Sequence, residues 1–138
     1  MNDIIISDSV CIESDTLNVF SYFTISELIS KWWSKTSYSE NCPGGKLIFY
    51  WLNGTCLETK FDKYILGKEI SFAFGKEYIE VTFEILNESK CKVSLLHKVP
   101  ADSAELSNVI HIAKSWSFLL TNLRSVIEFR NDLRKDEL

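Results

Sequence analysis

Two histidines are the side chains of this sequence best suited to moving a proton near neutral pH. His97 lies in the run KCKVSLLHKV, on the same alternating face as Val93 and Leu95, so we expect it to point inward. There it could orient a ligand or transfer a proton. The plainer and favoured interpretation is a strand-end histidine that bonds a backbone carbonyl or water. His111 borders the solvent side of a helical pattern and is not expected to act chemically.

Carboxylate pairs and metal-ligand sets, which would indicate hydrolytic chemistry, are not evident. In the run EYIEVTFEIL the apolar positions alternate with Glu80 and Glu84, which places both carboxylates on the outer face of a strand. The four cysteines are scattered without a C-x-x-C pair, and the two histidines lie on different elements. The GGK run at 44–46 lacks the spacing of a phosphate-binding loop. We therefore predict no catalytic residues, no metal site and no cofactor.

Large rings are the most prominent chemistry that remains, since aromatic residues make up 13% of the chain. The adjacent Trp32 and Trp33 precede a glycine turn. Because neighbours on a helix point about 100° apart, we expect Trp32 to anchor a helix to the core and Trp33 to stand at the entrance of a cavity. Trp33→Ala should then cost less stability than Trp32→Ala. The sequence leaves open whether the rings fill the interior or line a ligand site. The predicted ligand-binding residues are Trp33, Phe49, Trp51, Phe61, Phe72, Phe74, Phe83, His97 and Trp116.

The elements that must position these side chains begin with a strand from about Ile4 to Ile12. Asp15 and Ser26 are candidate N-caps for two short helices, the second formed by ELISKWW. The turn run NCPGG follows. Strand-like runs then succeed one another at short gaps, which predicts an antiparallel meander. These runs are KLIFYWL, TCLETKFDKYI, KEISFAFG, EYIEVTFEIL and KCKVSLLHKV.

A long final helix is predicted after Pro100, with Ser103 as its N-cap. Its apolar residues recur every three or four positions and form one stripe, so the helix should lie on the sheet. The residues of the stripe are Leu106, Ile110, Ala113, Trp116, Leu120, Leu123 and Ile127. The order of elements predicts an α+β fold in which the helices cover one face of an antiparallel sheet.

Length and charge narrow the function classes. The 138 residues are expected to form one domain spanning 1–138, and a net charge of −4 without a basic cluster argues against nucleic acid as a partner. No signal peptide and no membrane span are predicted, which favours a cytoplasmic protein with reduced cysteines. The last four letters, KDEL, match an ER-retention signal that we interpret as chance.

Four motifs in order give the chain a family resemblance. They are VFSYFTISELISKWW, PGGKLIFYW, KVSLLHKV and SWSFLLTNLRSVIEFRNDLR. With a Trp-Trp pair, a Gly-Gly strand opening and a Trp-containing last helix, the chain resembles the START-like (SRPBCC) superfamily. Within it, the chain is similar to the family of activators of heat-shock-protein-90 ATPase. The resemblance implies a helix-grip fold, in which a curved antiparallel sheet wraps around the long C-terminal helix and two short helices follow the first strand.

The resemblance also implies a cavity between the sheet and the long helix, since relatives bind lipids, sterols, polyketides or other hydrophobic molecules. Our leading hypothesis is a non-enzymatic domain that binds a small hydrophobic molecule. The first alternative is a protein-interaction module that binds a chaperone or another protein. The second is a cyclase-like or hydrolase-like enzyme that uses His97. A fold alone does not decide among these functions.

Overall fold

The computed structural model describes residues 2–134, so the KDEL run at 135–138 lies outside the described residues. Within these residues the α-helices are α1 (Thr16–Thr24), α2 (Ser26–Ile29) and α3 (Leu106–Phe129). The strands are β1 (Ile4–Ile12), β2 (Thr36–Ser39), β3 (Lys46–Tyr50), β4 (Cys56–Lys60), β5 (Lys63–Ile65), β6 (Glu69–Phe74), β7 (Glu77–Asn87) and β8 (Lys90–Val99). None of the helices in residues 2–134 combines the length and hydropathy that a membrane span requires.

The strands form two antiparallel sheets around α3. The larger sheet has the order β1-β8-β7-β6-β5, and the smaller one has the order β2-β3-β4. Asp62, just after β4, donates its backbone N–H to the Ser71 carbonyl oxygen of β6 at 2.8 Å, and this bond connects the end of the smaller sheet to the larger one. The predicted α+β fold, with a curved antiparallel sheet that wraps the long C-terminal helix, is confirmed.

The alternating patterns of β7 and β8 predict their inner faces well. Ile79, Val81 and Phe83 are buried on β7, and the odd-numbered residues from Cys91 to Val99 are buried on β8. Ile85 is the exception, since 70% of its surface is exposed. It lies where the register between β7 and β8 becomes irregular. The core therefore lies between this face and the helices.

The loop and strand boundaries correct four predictions. Ser26 does not cap α2, because it is the first residue of the helix and the N-cap position is Ile25, which has no side-chain cap hydrogen bond. The run TCLETKFDKYI is not one strand, because the chain leaves β4 after Lys60 and crosses to the larger sheet as β5. A strand that the sequence did not indicate, β2, pairs with β3. Ser103 does not cap α3, since it ends a 3₁₀ turn and its hydroxyl donates to the Pro100 carbonyl oxygen. Asp15 does cap α1, where its carboxylate accepts from the Asn18 backbone N–H at 2.7 Å.

The apolar stripe of α3 is buried only in its second half. Trp116, Leu120 and Leu123 lie in the core, as predicted. Leu106 and Ile110 in the first half are 76% and 46% exposed. A continuous stripe predicted complete burial. The sheet covers only the C-terminal part of it, so apolar surface on the first turns of α3 remains open to solvent.

Candidate functional site

The Trp-Trp pair lies in a turn and not in a helix, which corrects the prediction. Helix α2 ends at Ile29, and Trp32 and Trp33 follow it in irregular backbone. Trp32 is fully buried, and its indole N–H donates to the Tyr22 carbonyl oxygen at 2.7 Å. Its ring packs against Phe23 with centroids 4.9 Å apart. Trp32 therefore anchors the turn to the core.

This turn is held by a residue about a hundred positions away. The Arg134 guanidinium donates to the carbonyl oxygens of Trp33 (2.6 Å), Ser34 (3.2 Å) and Ser30 (3.0 Å). Its remaining donors, Nε–H and one on Nη2, bind the two carboxylate oxygens of Asp132 at 3.1 and 3.0 Å. A guanidinium has five N–H donors, so all of them are used. The guanidinium thus binds backbone carbonyls in the turn that follows α2, and it holds this turn in place.

Asn122 on α3 completes the arrangement that we call the carbonyl clamp, formed by Asn122, Asp132 and Arg134. The Asn122 amide donates to the Trp32 carbonyl oxygen at 3.0 Å and to Asp132 at 3.1 Å, and it accepts from the Leu133 backbone N–H at 2.7 Å. Partial burial by itself raises the pKa of the Asp132 carboxyl, but hydrogen bonds from Arg134 and Asn122 outweigh it and hold the pKa below its usual value.

The space between sheet and helix is filled by rings. Trp33 is 7% exposed and lies at the centre of this ring cluster. Its ring centroid is 4.4 Å from Phe49, 5.1 Å from Trp116, 5.4 Å from Trp32, 6.1 Å from Phe74 and 6.3 Å from Phe72. Because so many rings would lose contacts, Trp33→Ala should lower the free energy of unfolding by about 3–5 kcal/mol. This loss is larger than the sequence predicted for Trp33→Ala, and it equals the range expected for Trp32→Ala.

The structure brings most of the predicted site residues together. Ring contacts connect Trp33, Phe49, Trp51, Phe72, Phe74, His97 and Trp116. Phe61 touches this group only through Phe72. Phe83 lies apart and packs against Phe20 and Phe23 under α1.

His97 is buried, with two side-chain partners in place of the backbone carbonyl or water that was favoured. Its Nδ1 accepts from the indole N–H of Trp116 at 2.8 Å, and its Nε2 lies 2.6 Å from Glu77 Oε1. An indole nitrogen can only donate, so Nδ1 carries no proton and Nε2–H donates to the carboxylate. The ring therefore has no free lone pair with which to take a proton from a substrate.

Glu77 is an inward carboxylate that the sequence interpretation missed. It has the same parity on β7 as Ile79 and Val81, so alternation alone could have placed it on the inner face. It stands at the first position of the strand, where the apolar pattern had not begun. The alternation was applied to Glu80 and Glu84 and not to this position, so the inward carboxylate was not predicted.

Beside the ring cluster a cleft of about 450 Å³ opens to the surface. It lies between α3, the turn after β3 and the Trp33 turn. Its apolar lining consists of Trp33, Trp51, Leu52, Phe118 and Leu119, and its polar lining consists of Lys35, Asn53, Ser115 and Arg134. Of the predicted site residues, only Trp33 and Trp51 line it. The other residues that line the cleft come from loops and from the outer flank of α3, where the sequence analysis did not identify them as site residues.

The turn that carries one wall of the cleft has a defined local structure. The Asn53 side-chain oxygen accepts from the backbone N–H of Thr55 at 3.0 Å and from its hydroxyl at 2.6 Å. Gly54 adopts a φ of +86°, which a side chain would strain. Asn53 and Gly54 therefore form a tight turn, which places Leu52 and Asn53 in the cleft wall opposite α3.

Two other grooves match the cleft in size but not in chemistry. A groove of about 500 Å³ near the glycine turn is lined by charged side chains that include Glu58, Lys60 and Asp62. A groove of about 630 Å³ beside α1 is lined by Lys31, Arg130 and Asp132 among others. The ring-lined cleft is therefore better suited to an apolar molecule than either of these two grooves.

Comparison with known proteins places the chain in a family. Residues 16–128 match the family of activator of Hsp90 ATPase homolog 1-like proteins. The chain belongs to this family. Among curated proteins none matches the sequence.

Solved structures share the fold of this family member at low sequence identity. A Staphylococcus saprophyticus protein is 17% identical with a TM-score of 0.83, and the match covers 95% of this chain and 96% of that one. The Aha1 dimer from Colwellia psychrerythraea is 17% identical with a TM-score of 0.77, over 91% and 97% of the chains. An AHSA1-like protein from Aeromonas hydrophila is 15% identical with a TM-score of 0.74, over 91% and 92%.

Proposed function

We propose that this member of the activator of Hsp90 ATPase homolog 1-like family binds a small hydrophobic molecule in the ring-lined cleft. The observation that carries the proposal is a concave site of about 450 Å³ where five apolar side chains converge beside a few polar groups. Ligand sites of proteins have this size and this composition. Because rings fill the deeper interior, the ligand lies at the mouth of the sheet-and-helix space.

Exposure of the cleft wall supports the proposal. Leu52 is 51% exposed and Phe118 is 38% exposed, although both face a concave surface. Covering such apolar area removes it from water and stabilises the complex by about 25 cal/mol per Å² before the costs of binding. The rigid Trp33 turn, held by the carbonyl clamp, keeps the opposite wall in place without a ligand.

Binding of Nile red, an uncharged lipophilic fluorophore, tests the site. Phe118→Ala should weaken the affinity about tenfold or more, since it removes a ring from the cleft. Phe129→Ala is the matched control, because it removes an exposed phenylalanine from the same helix outside the cleft. Equal affinity of the wild type and both variants, or no binding by the folded wild type, would overturn the proposal.

A second candidate function is protein interaction, favoured by the open apolar surface on the first half of α3. Leu106 and Ile110 lie there without cover from the described residues. Apolar surface of this kind is typical of interaction sites, and the family name and the Aha1 relative point to a chaperone ATPase. Loss of partner capture in Ile110→Ser, with Nile red binding unchanged, would separate this function from cleft binding.

Catalysis is the weakest candidate, because His97 has both ring nitrogens bonded to Glu77 and Trp116.

We also propose a cytoplasmic location. Four free cysteines, three of them exposed, suit a reducing compartment.

A further inference from the structure

We propose that the molecule bound in the cleft is an anionic amphiphile, with an apolar body and one carboxylate or similarly charged acceptor group at the rim. The inference rests on the proposed function of the same cleft. It follows from the polar groups that line the cleft and from which of them still have unused hydrogen-bonding capacity.

Among the described residues, the charges that line the cleft have one sign. The two ionisable lining residues of 2–134, Lys35 and Arg134, are both cations, and no carboxylate within this range lines the cleft. Arg134 is not available to a ligand, since its five N–H donors are used by the Trp33 turn and by Asp132, which also neutralises its charge. That leaves the Lys35 ammonium as the charge that a ligand would meet.

Lys35 is exposed and makes no ion pair within residues 2–134. Its backbone is nevertheless fixed, because the Lys35 N–H donates to the Tyr50 carbonyl oxygen at 3.0 Å. This bond places its Cα beside the end of β3, one residue from Trp51 of the cleft wall. An ammonium that starts from this fixed backbone position, without an ion-pair partner in residues 2–134, is suited to the head group of an amphiphile at the rim of an apolar surface.

The neutral polar groups of the cleft also favour a ligand with an anionic head group. The Asn53 side-chain oxygen is already occupied by Thr55, so its free capacity is the NH₂ group, which donates to no described residue. Ser115 contributes a hydroxyl that makes no side-chain bond within the described part of the chain. Lys35 and Asn53 therefore offer only donors, and Ser115 can donate as well. A carboxylate, which only accepts, matches all three.

The test compares three ligands with the same twelve-carbon chain, below their micelle concentrations, as competitors of Nile red. Dodecanoate is the anion, 1-dodecanol is the neutral analogue and dodecyltrimethylammonium is the cation. We expect dodecanoate to bind about fivefold more tightly than dodecanol, a modest preference because Lys35 is solvated. The cation should bind most weakly, and the difference should shrink at high salt.

Substitution of Lys35 assigns the preference to its charge. Lys35→Met keeps the length and apolar stem of the side chain, and it should bring the affinity for dodecanoate down to the affinity for dodecanol when both are measured in the same variant. Lys31→Met removes an exposed lysine from the same turn outside the cleft and should retain the preference. Circular dichroism checks that both variants are folded.

The outcomes separate the two proposals. Nile red binding with equal affinities for dodecanoate and dodecanol would overturn the anion preference and leave the cleft as a site for neutral molecules. An anion preference that survives Lys35→Met would place it elsewhere on the protein and overturn this inference too. If neither the dye nor any of the three ligands binds, both proposals fail.

Discussion

At the scale of single residues, the buried contacts of His97 show how a titratable side chain can be made chemically inert. The ring is 3% exposed and lies between a donor-only indole and a carboxylate. Protonation of Nδ1 would break the bond from Trp116 inside the core. The histidine thus joins α3 to the ends of β7 and β8 as a structural connector.

Nuclear magnetic resonance can check the tautomer of His97. Long-range ¹⁵N–¹H spectra at neutral pH should show a protonated Nε2 and an unprotonated Nδ1, because the Trp116 indole can only donate. His97→Leu should destabilise the fold by about 1–3 kcal/mol, since it leaves the indole N–H unpaired. His97→Gln, which keeps one acceptor and one donor, is the matched control and should cost less. A proton on Nδ1 would contradict the assigned hydrogen bonds.

Cysteine reactivity gives a second test at this scale. Cys91 is fully buried on β8, and burial, followed by the nearby Asp15 and Cys11, raises the pKa of its thiol to about 11. The other three cysteines are exposed. A thiol reagent at about pH 8 should therefore modify Cys11, Cys42 and Cys56 in the native protein, and Cys91 only after unfolding. Rapid modification of Cys91 without denaturant would mean that β8 opens locally.

At the scale of elements, the carbonyl clamp explains why the Trp-Trp turn could not be predicted. Alternation assigns the faces of β7 and β8 because each residue's environment follows from its neighbours in the chain. The backbone of Trp33 depends instead on Arg134, which a local pattern cannot reveal. For the same reason the sequence indicated the rings of the interior but missed Lys35, Leu52 and Phe118, which line the cleft from turns and from a helix flank.

The clamp makes stability depend on pH in a definite direction. The folded protein holds the pKa of Asp132 below its usual 3.8, so the charged carboxylate favours the folded state above that pH. The stabilisation should be lost as pH falls from about 4 through the folded pKa. Denaturant titrations can measure the gap in the free energy of unfolding between the wild type and Asp132→Asn. This gap should be constant from about pH 7 to 5 and should shrink below about pH 4.

Asp102→Asn, which removes an exposed carboxylate outside the clamp, controls for general charge effects. A gap that stays constant into strong acid would show that Asp132 acts through packing and not through its charge. A gap that widens as pH falls would contradict the direction of the pKa shift.

At the scale of the whole molecule, burial is concentrated at one end of α3. The helix has 24 residues, and its buried side chains all lie from Trp116 onward. The central strands β7 and β8 are paired on both sides, whereas the first turns of α3 have few covered side chains. Local stability should therefore differ strongly along a single helix.

Native-state hydrogen exchange can measure this difference. Amides at 110–114 should open at a free energy lower by about 2 kcal/mol or more than amides at 120–126, while those of β8 should exchange most slowly. The first turns of α3 serve as the internal comparison for the last, because both belong to one helix of the same length and backbone geometry. Uniform protection along α3 would mean that the exposed apolar side chains of the first half are covered in solution.

The pairing of β1 with β8 has a consequence during protein synthesis. Ile4 pairs with Val99 and Ile12 with Cys91, so the ribosome must make more than half of the described chain before β1 has a partner strand. At ordinary translation rates this takes roughly 4–20 seconds. An unpaired apolar strand can associate with other nascent chains in that interval. The polar Ser7–Ser9 segment interrupts β1 midway, and it lowers the tendency of the waiting strand to aggregate.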